Sequence, residues 1–311
     1  MMKMNRKLSP ELRQVLTGLA LNRTPGWNFP GNFLELSFDD VLADTARVSI
    51  VPGPHCTGTD GQSSFAALAV LADIGMAAAM RQEIGFSGRM ATVSMTLQLT
   101  GAPLTGRLEA HGRMEGFLAG AATRQGMTRA DIYAGGTLAC CVSGSFIALG
   151  NKAGTAAMPM RKRGREAAVP PLEIAELTDE EKVVFDRASA AMDSGPLTFI
   201  DRFWGLLPVR NDGGASCDFP NGLHVGNRVG HTQGGVMLAL AASTADAALD
   251  DGWHLAGVSS WYITPGTGAA LRAEASIVHQ GSRTAVVRSR VIDGQGKTVV
   301  ESVTSHARAA R

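Results

Sequence analysis

The chain has 311 residues, of which 45% are hydrophobic and 18% charged, with a formal net charge of +1. That is enough apolar material for two ordinary domains, and so even a charge balance excludes the basic footprint of a nucleic-acid-binding protein. No apolar run is long enough for a bilayer span, and the basic opening residues 1–10 lead into Glu11 and Arg13 rather than an apolar signal core, so the expectation is a cytoplasmic protein.

A first helix is predicted from Ser9 to about Leu21, with a capping-type start and apolar residues at Leu12, Val15, Leu16 and Leu19. A turn-rich loop at 22–30 precedes strands at 34–36 and 45–51. Residues 65–82 form a helix with alanine, glycine and methionine on most faces, so it must be covered on most sides. Strands follow at 92–99, 106–115, 128–134 and 137–149, joined by glycine-containing turns.

Residues 151–175 are low in aromatics, carry the basic run 161–165 and end in Pro170-Pro171, which suits a linker or mobile crossover between domains at 1–150 and 176–311. The second half repeats the plan. It has a capped helix at 177–192, strands at 199–208 and 215–219, a helix at 235–249, and strands at 256–264, 270–280, 283–292 and 298–308, with a hairpin turn at 293–296. Cys56, Cys140, Cys141 and Cys217 lack metal-like spacing and are expected as reduced, buried thiols, with Cys140 and Cys141 on opposite strand faces.

The two halves are a repeat. His55 corresponds to His224, Gly61 to Gly230 and Asp73 to Ala242, each pair 169 positions apart. A repeat of this length means duplicated domains rather than a solenoid. The segment Gly226-Asn227-Arg228-Val229-Gly230-His231-Thr232-Gln233-Gly234-Gly235 is a polar, glycine-marked loop entering a long small-residue helix. The first amides of such a helix have no partner inside it and share the positive end of its dipole, so they can hold a developing oxyanion.

One apolar helix wrapped by a long antiparallel sheet, twice over, resembles the hotdog fold in tandem: an α+β double hotdog with two antiparallel sheets, each around a long central helix. The second half resembles the PaaI-like acyl-CoA thioesterases, whose helix start is roughly Asn-x-x-Gly-x-x-His-Gly-Gly. Here Asn227, Gly230, Gln233, Gly234 and Gly235 match, with glutamine in place of histidine, and Leu71-Ala72-Asp73 matches the helix carboxylate pattern in the first half.

That resemblance implies an active site shared between two hotdogs. Only one complete site can be assembled: Asp73 from the first half, Asn227, Gln233 and Gly234 from the second. The other pseudo-site has Ser64-Phe65-Ala66 and Ala242 at those positions and would be dead. Asp73 would act as base or nucleophile, the Gly234 N–H with Gln233 would hold the carbonyl, and Thr92 would position water or carboxylate. Gly235, His231, Arg283 and Phe65 are the substrate-binding candidates, with the 161–165 run as a further phosphate contact and Met76, Met80 and Trp261 as acyl-pocket walls. The implied activity is acyl-CoA hydrolysis by a homodimer, needing no metal and no cofactor beyond the substrate's own coenzyme A. The rivals are a hotdog hydratase or dehydratase and a non-catalytic acyl-CoA-binding protein.

Overall fold

The computed structural model describes residues 8–150, 156–165, 168–192 and 195–309. The first half comprises α1 (Pro10–Asn22), α2 (Phe29–Phe33), β1 (Ser37–Val41), β2 (Thr45–Ile50), α3 (Phe65–Ala79), α4 (Arg81–Ile84), β3 (Arg89–Leu99), β4 (Leu108–Phe117), β5 (Gln125–Ala134) and β6 (Thr137–Leu149). The second comprises α5 (Asp179–Ala190), α6 (Phe199–Trp204), β7 (Val209–Asn211), β8 (Gly214–Pro220), α7 (Gly234–Ala247), β9 (Trp253–Tyr262), β10 (Ala270–Gln280), β11 (Thr284–Asp293) and β12 (Thr298–Arg308).

The strands form one 12-stranded sheet in the order β1-β2-β4-β5-β6-β3-β9-β12-β11-β10-β8-β7. Each half therefore has the same internal order, and the two meet at β3 and β9. The expectation of two separate sheets is corrected by this seam, where Ser94 to Gln98 pair antiparallel with Trp261 to Gly257. Left apart, β3 and β9 would each expose a row of unpaired N–H and C=O groups, and pairing them removes both edges. The polar side chains on these strands add to the junction, with Thr96 Oγ1 donating to Ser259 Oγ at 3.1 Å.

The two buried helices α3 and α7 lie against each other and their own half-sheets. Their all-round apolar sequences are explained by this double cover: α3 is buried along nearly its whole length, including Asp73. The closest approach is at Gly235, where an added Cβ would stand 2.5 Å from the Ala69 carbonyl oxygen. Only glycine lets the helices pack at that distance.

Local capping overrides composition at two places. Residues 34–36 are not a strand: Asn28 Oδ1 accepts from Gly31 N at 2.8 Å, starting α2, and Leu34 closes it, so the strand begins at Ser37. Residues 199–208 are not a strand either. Thr198 Oγ1 accepts from Asp201 N at 3.3 Å and Gly205, at φ +84°, ends α6, whose aromatic residues recur at helical spacing and are buried.

The described part of 151–175 is tied down rather than free, through Phe38 N to Arg161 O at 2.7 Å, Met158 N to Phe86 O at 3.0 Å and Leu172 N to Leu16 O at 3.4 Å. Residues 151–155 and 166–167 lie outside the described residues. The cysteines are all free; Cys56, Cys140 and Cys217 are buried, but Cys141 is exposed, because it faces away from Cys140 across its strand.

Candidate active site at the α3–α7 junction

Gln233 caps α7. Its Oε1 accepts from Val236 N at 2.9 Å, and the same side chain extends its Nε2 to donate to Asp73 Oδ2 at 2.6 Å. Thr92, on β3, donates from Oγ1 to Asp73 Oδ1 at 2.9 Å, and the nearby Gly235 amide favours the charged form of the Asp73 carboxyl. Asp73 is only 6% exposed. Burial pushes its carboxyl up to about 6, while the Thr92 hydroxyl and the Gly235 amide resist the rise.

The first-turn amides of α7 are now accounted for. Val236 N–H goes to the cap and Met237 N–H to the Gln233 carbonyl, while the Gly235 amide sits near the Asp73 carboxylate. The Gly234 N–H has no acceptor among the described residues, and Gly234 lies beside the acid: a Cβ there would be 3.0 Å from Asp73 Oδ2 and 2.9 Å from Thr92 Oγ1. The Tyr262 hydroxyl donates to the Gly234 carbonyl at 2.9 Å, fixing that peptide's orientation. Burial and the neighbouring Asp73 raise the Tyr262 phenol well above its ordinary range, so it stays protonated.

These groups open on a cleft of about 430 Å³ whose walls include Ile74, Ala77, Met90, Phe146, Met237 and Tyr262. Arg81, Arg89 and Arg228 also line it. The arrangement couples an oriented, partly basic carboxylate to one spare amide at a helix start, facing an apolar space. It can polarise a carbonyl and take a proton from water.

The structure therefore brings Asp73, Thr92, Gln233, Gly234, Asn227 and His231 to one cleft. Asn227 turns its side chain inward, with Oδ1 accepting from Val229 N at 2.9 Å and His231 N at 3.1 Å, so it braces the loop that presents the helix start. The remaining candidates are corrected. Gly235 is packed against the α3 backbone and faces the carboxylate rather than a ligand. Phe65 heads α3 and does not line the cleft, and Arg283 is exposed at the β10–β11 turn, away from it. Met76 and Met80 are core residues at 0% exposure, whereas Trp261 is 50% exposed on the other sheet face from Tyr262.

The 161–165 run is occupied by the first half: Lys162 Nζ donates to Asp39 O, Arg163 N to Ser37 Oγ at 2.9 Å and Arg161 Nη1 to Asn32 Oδ1 at 3.2 Å. At the equivalent start of α3, Ser64 caps the helix by accepting from Ala66 N and donates to Asp201 Oδ1 at 2.6 Å, while Ala242 is buried in the core.

Tyr262 and the three arginines were not singled out in the sequence. Arg228 sits inside the motif loop at a variable position, and Arg81 is the first cation after a long apolar run, which was the available signal.

No family model and no curated protein matches the chain. Solved structures do. A Lactobacillus plantarum protein named for oleoyl thioesterase activity aligns at 11% identity and TM-score 0.52, over 86% of this chain and 97% of its own. A Novosphingobium aromaticivorans protein named as a thioesterase aligns at 16% identity and TM-score 0.51, over 88% and 99%. A coenzyme A complex of a Bacillus halodurans protein aligns at 27% identity and TM-score 0.40, over 45% of this chain and 99% of its own. The first two share this chain's fold along most of its length.

Proposed function

We propose that this chain, which has the hotdog α+β fold, hydrolyses acyl thioesters of coenzyme A at a single composite site between two tandem hotdog units. The observation that carries the reading is the buried Asp73 carboxylate, held by Thr92 and Gln233 beside Gly234, whose N–H has no acceptor among the described residues. The names of the two fold neighbours agree with it. A homodimer in the cytoplasm and a silent second pseudo-site belong to the same proposal.

In this reading the Gly234 N–H, at the positive end of α7, receives the thioester carbonyl oxygen. A carboxylate with both oxygens already held is an oriented proton acceptor, so Asp73 serves as general base. Water attacks the carbonyl carbon as its proton passes to Asp73. The tetrahedral intermediate then collapses with cleavage of the C–S bond, and the departing thiolate takes the proton back. Thr92 and Gln233 keep the carboxylate aimed throughout.

Thiol release from a panel of acyl-CoA thioesters by the wild type and by Asp73→Asn tests this. The expected result is turnover by the wild type and a loss of about a hundredfold to ten-thousandfold in the variant. Turnover untouched by the substitution, or acyl-CoA binding without any turnover by the wild type, overturns the reading.

A further inference from the structure

Arg81 follows Asp73 by eight positions, just past the end of α3, which sets it roughly 12 Å along the helix axis from the acid. It is only 6% exposed, and its Nε has no hydrogen-bond partner among the described residues. Its Nη1 donates to Gly88 O at 2.6 Å. Arg228, from the loop before α7, donates Nη2 to that same carbonyl at 2.7 Å, and Arg89 is the next residue along. One neutral oxygen thus gathers two guanidinium groups, and Arg89 lines the same cleft.

None of the three arginines has a carboxylate partner among the described residues. The charge acting on Arg81 is that of Arg228, and the charge acting on Arg228 is that of Arg89. Like charges held together at a buried site, with donor capacity unspent, are costly until an anion joins them. Guanidinium groups grip carboxylates through paired N–H donors.

The path from Asp73 to this cluster decides which anion. It runs past Ile74, Ala77, Ala78, Met90 and Phe146, which offer no side-chain partners for the amides of a pantetheine arm but suit methylenes. Arg81 is buried, which suits an acyl end-group better than the solvent-facing nucleotide.

Resting on the hydrolase reading above, we infer that Arg81, Arg89 and Arg228 form an anion subsite at the far end of the acyl cleft, which receives the ω-carboxylate of a dicarboxylic acyl group. With the helix rise from Asp73 to Arg81 as the scale, the matching chain has about eight to ten carbons.

Two measurements test the inference. Calorimetric titration of the wild type with monomethyl sebacate and with methyl decanoate, which differ only in the ω-carboxylate, gives binding tighter for monomethyl sebacate by about tenfold to a hundredfold, and Arg228→Met closes the gap. In kinetics, the ratio of kcat/KM for sebacoyl-CoA over decanoyl-CoA falls by about tenfold or more in Arg228→Met and in Arg81→Met. The loop position of Arg228 keeps the test available if Arg81→Met does not fold. Equal binding of the two esters by the wild type overturns the inference. So does an equal fall in kcat/KM for both thioesters, which assigns the arginines to coenzyme A phosphates. Preference for the ω-carboxylate without hydrolysis of any thioester removes the hydrolase reading and keeps the subsite; hydrolysis without the preference does the reverse.

Discussion

Gln233 donates from Nε2 to Asp73 Oδ2 across 2.6 Å, although the two residues are 160 positions apart in the chain. One half of the molecule thereby aims the acid supplied by the other. The same glutamine caps α7, so a single side chain fixes both the helix start and the carboxylate.

Replacing Gln233 by glutamate sets a second carboxyl against Asp73. Like charges that close raise the acid's pKa further, so the alkaline-going rise in kcat/KM moves to higher pH than in the wild type. A pH–rate profile of the two proteins checks this, and an unshifted profile contradicts the role given to Gln233.

The two adjacent glycines respond differently to alanine. At Gly234 the new methyl meets only side-chain atoms, Thr92 Oγ1 at 2.9 Å and Asp73 Oδ2 at 3.0 Å, which can move aside. The chain folds, but the acid is displaced and kcat falls by about a hundredfold. At Gly235 the methyl meets the Ala69 backbone at 2.5 Å, so α3 and α7 must separate and stability drops by about 1–3 kcal/mol. Denaturant titration and thiol-release kinetics on both variants distinguish the two effects.

Asp73 also gives stability a pH signature. Its carboxyl rises from 3.8 to about 6 on folding, so the folded state holds the proton more tightly than the unfolded chain. Its contribution is most favourable below pH 4 and declines as pH climbs through 6. Asp73→Asn removes that dependence, and its stability relative to wild type improves by up to about 3 kcal/mol between pH 4 and pH 7. Urea unfolding across that range measures the difference.

His55 and His224 act in the opposite direction. Burial lowers them to about 4 and about 3, so both stay neutral in the folded protein while the unfolded chain takes protons below 6.5. Stability supplied above that pH is lost on acidification, by about 2–3 kcal/mol for each histidine at pH 4.5. His224→Leu should lose correspondingly less between pH 7 and pH 4.5 in the same unfolding experiment.

Much of this was legible in residue order. The 169-residue repeat exposed the duplicated plan, and the apolar helices, the meanders and the Gln233-Gly234 start were found from periodicity and glycine placement alone. Asp73 was conspicuous as a lone charge in an apolar run. Local capping decides the two misplaced strands at 34–36 and 199–208, whereas the other failures depend on contacts far away in sequence. The β3–β9 seam depends on two strands from different halves. Tyr262 was hidden beside the larger Trp261, because which of two neighbours points inward is set by strand register. Arg283 looked suitable by type, but its hairpin turn carries it away from the cleft. Arg81 and Arg228 gain their meaning from sharing the Gly88 carbonyl, which no spacing rule reveals.

The continuous ladder from β3 into β9 makes the pairing of the two lobes intramolecular. Their effective concentration is set by the polypeptide itself, so dilution cannot separate Asp73 from the α7 start, and strand exchange with another molecule would require opening the middle of a sheet. In the proposed reading neither lobe needs both parts of the site, and the α3 start instead holds a contact between Ser64 and Asp201.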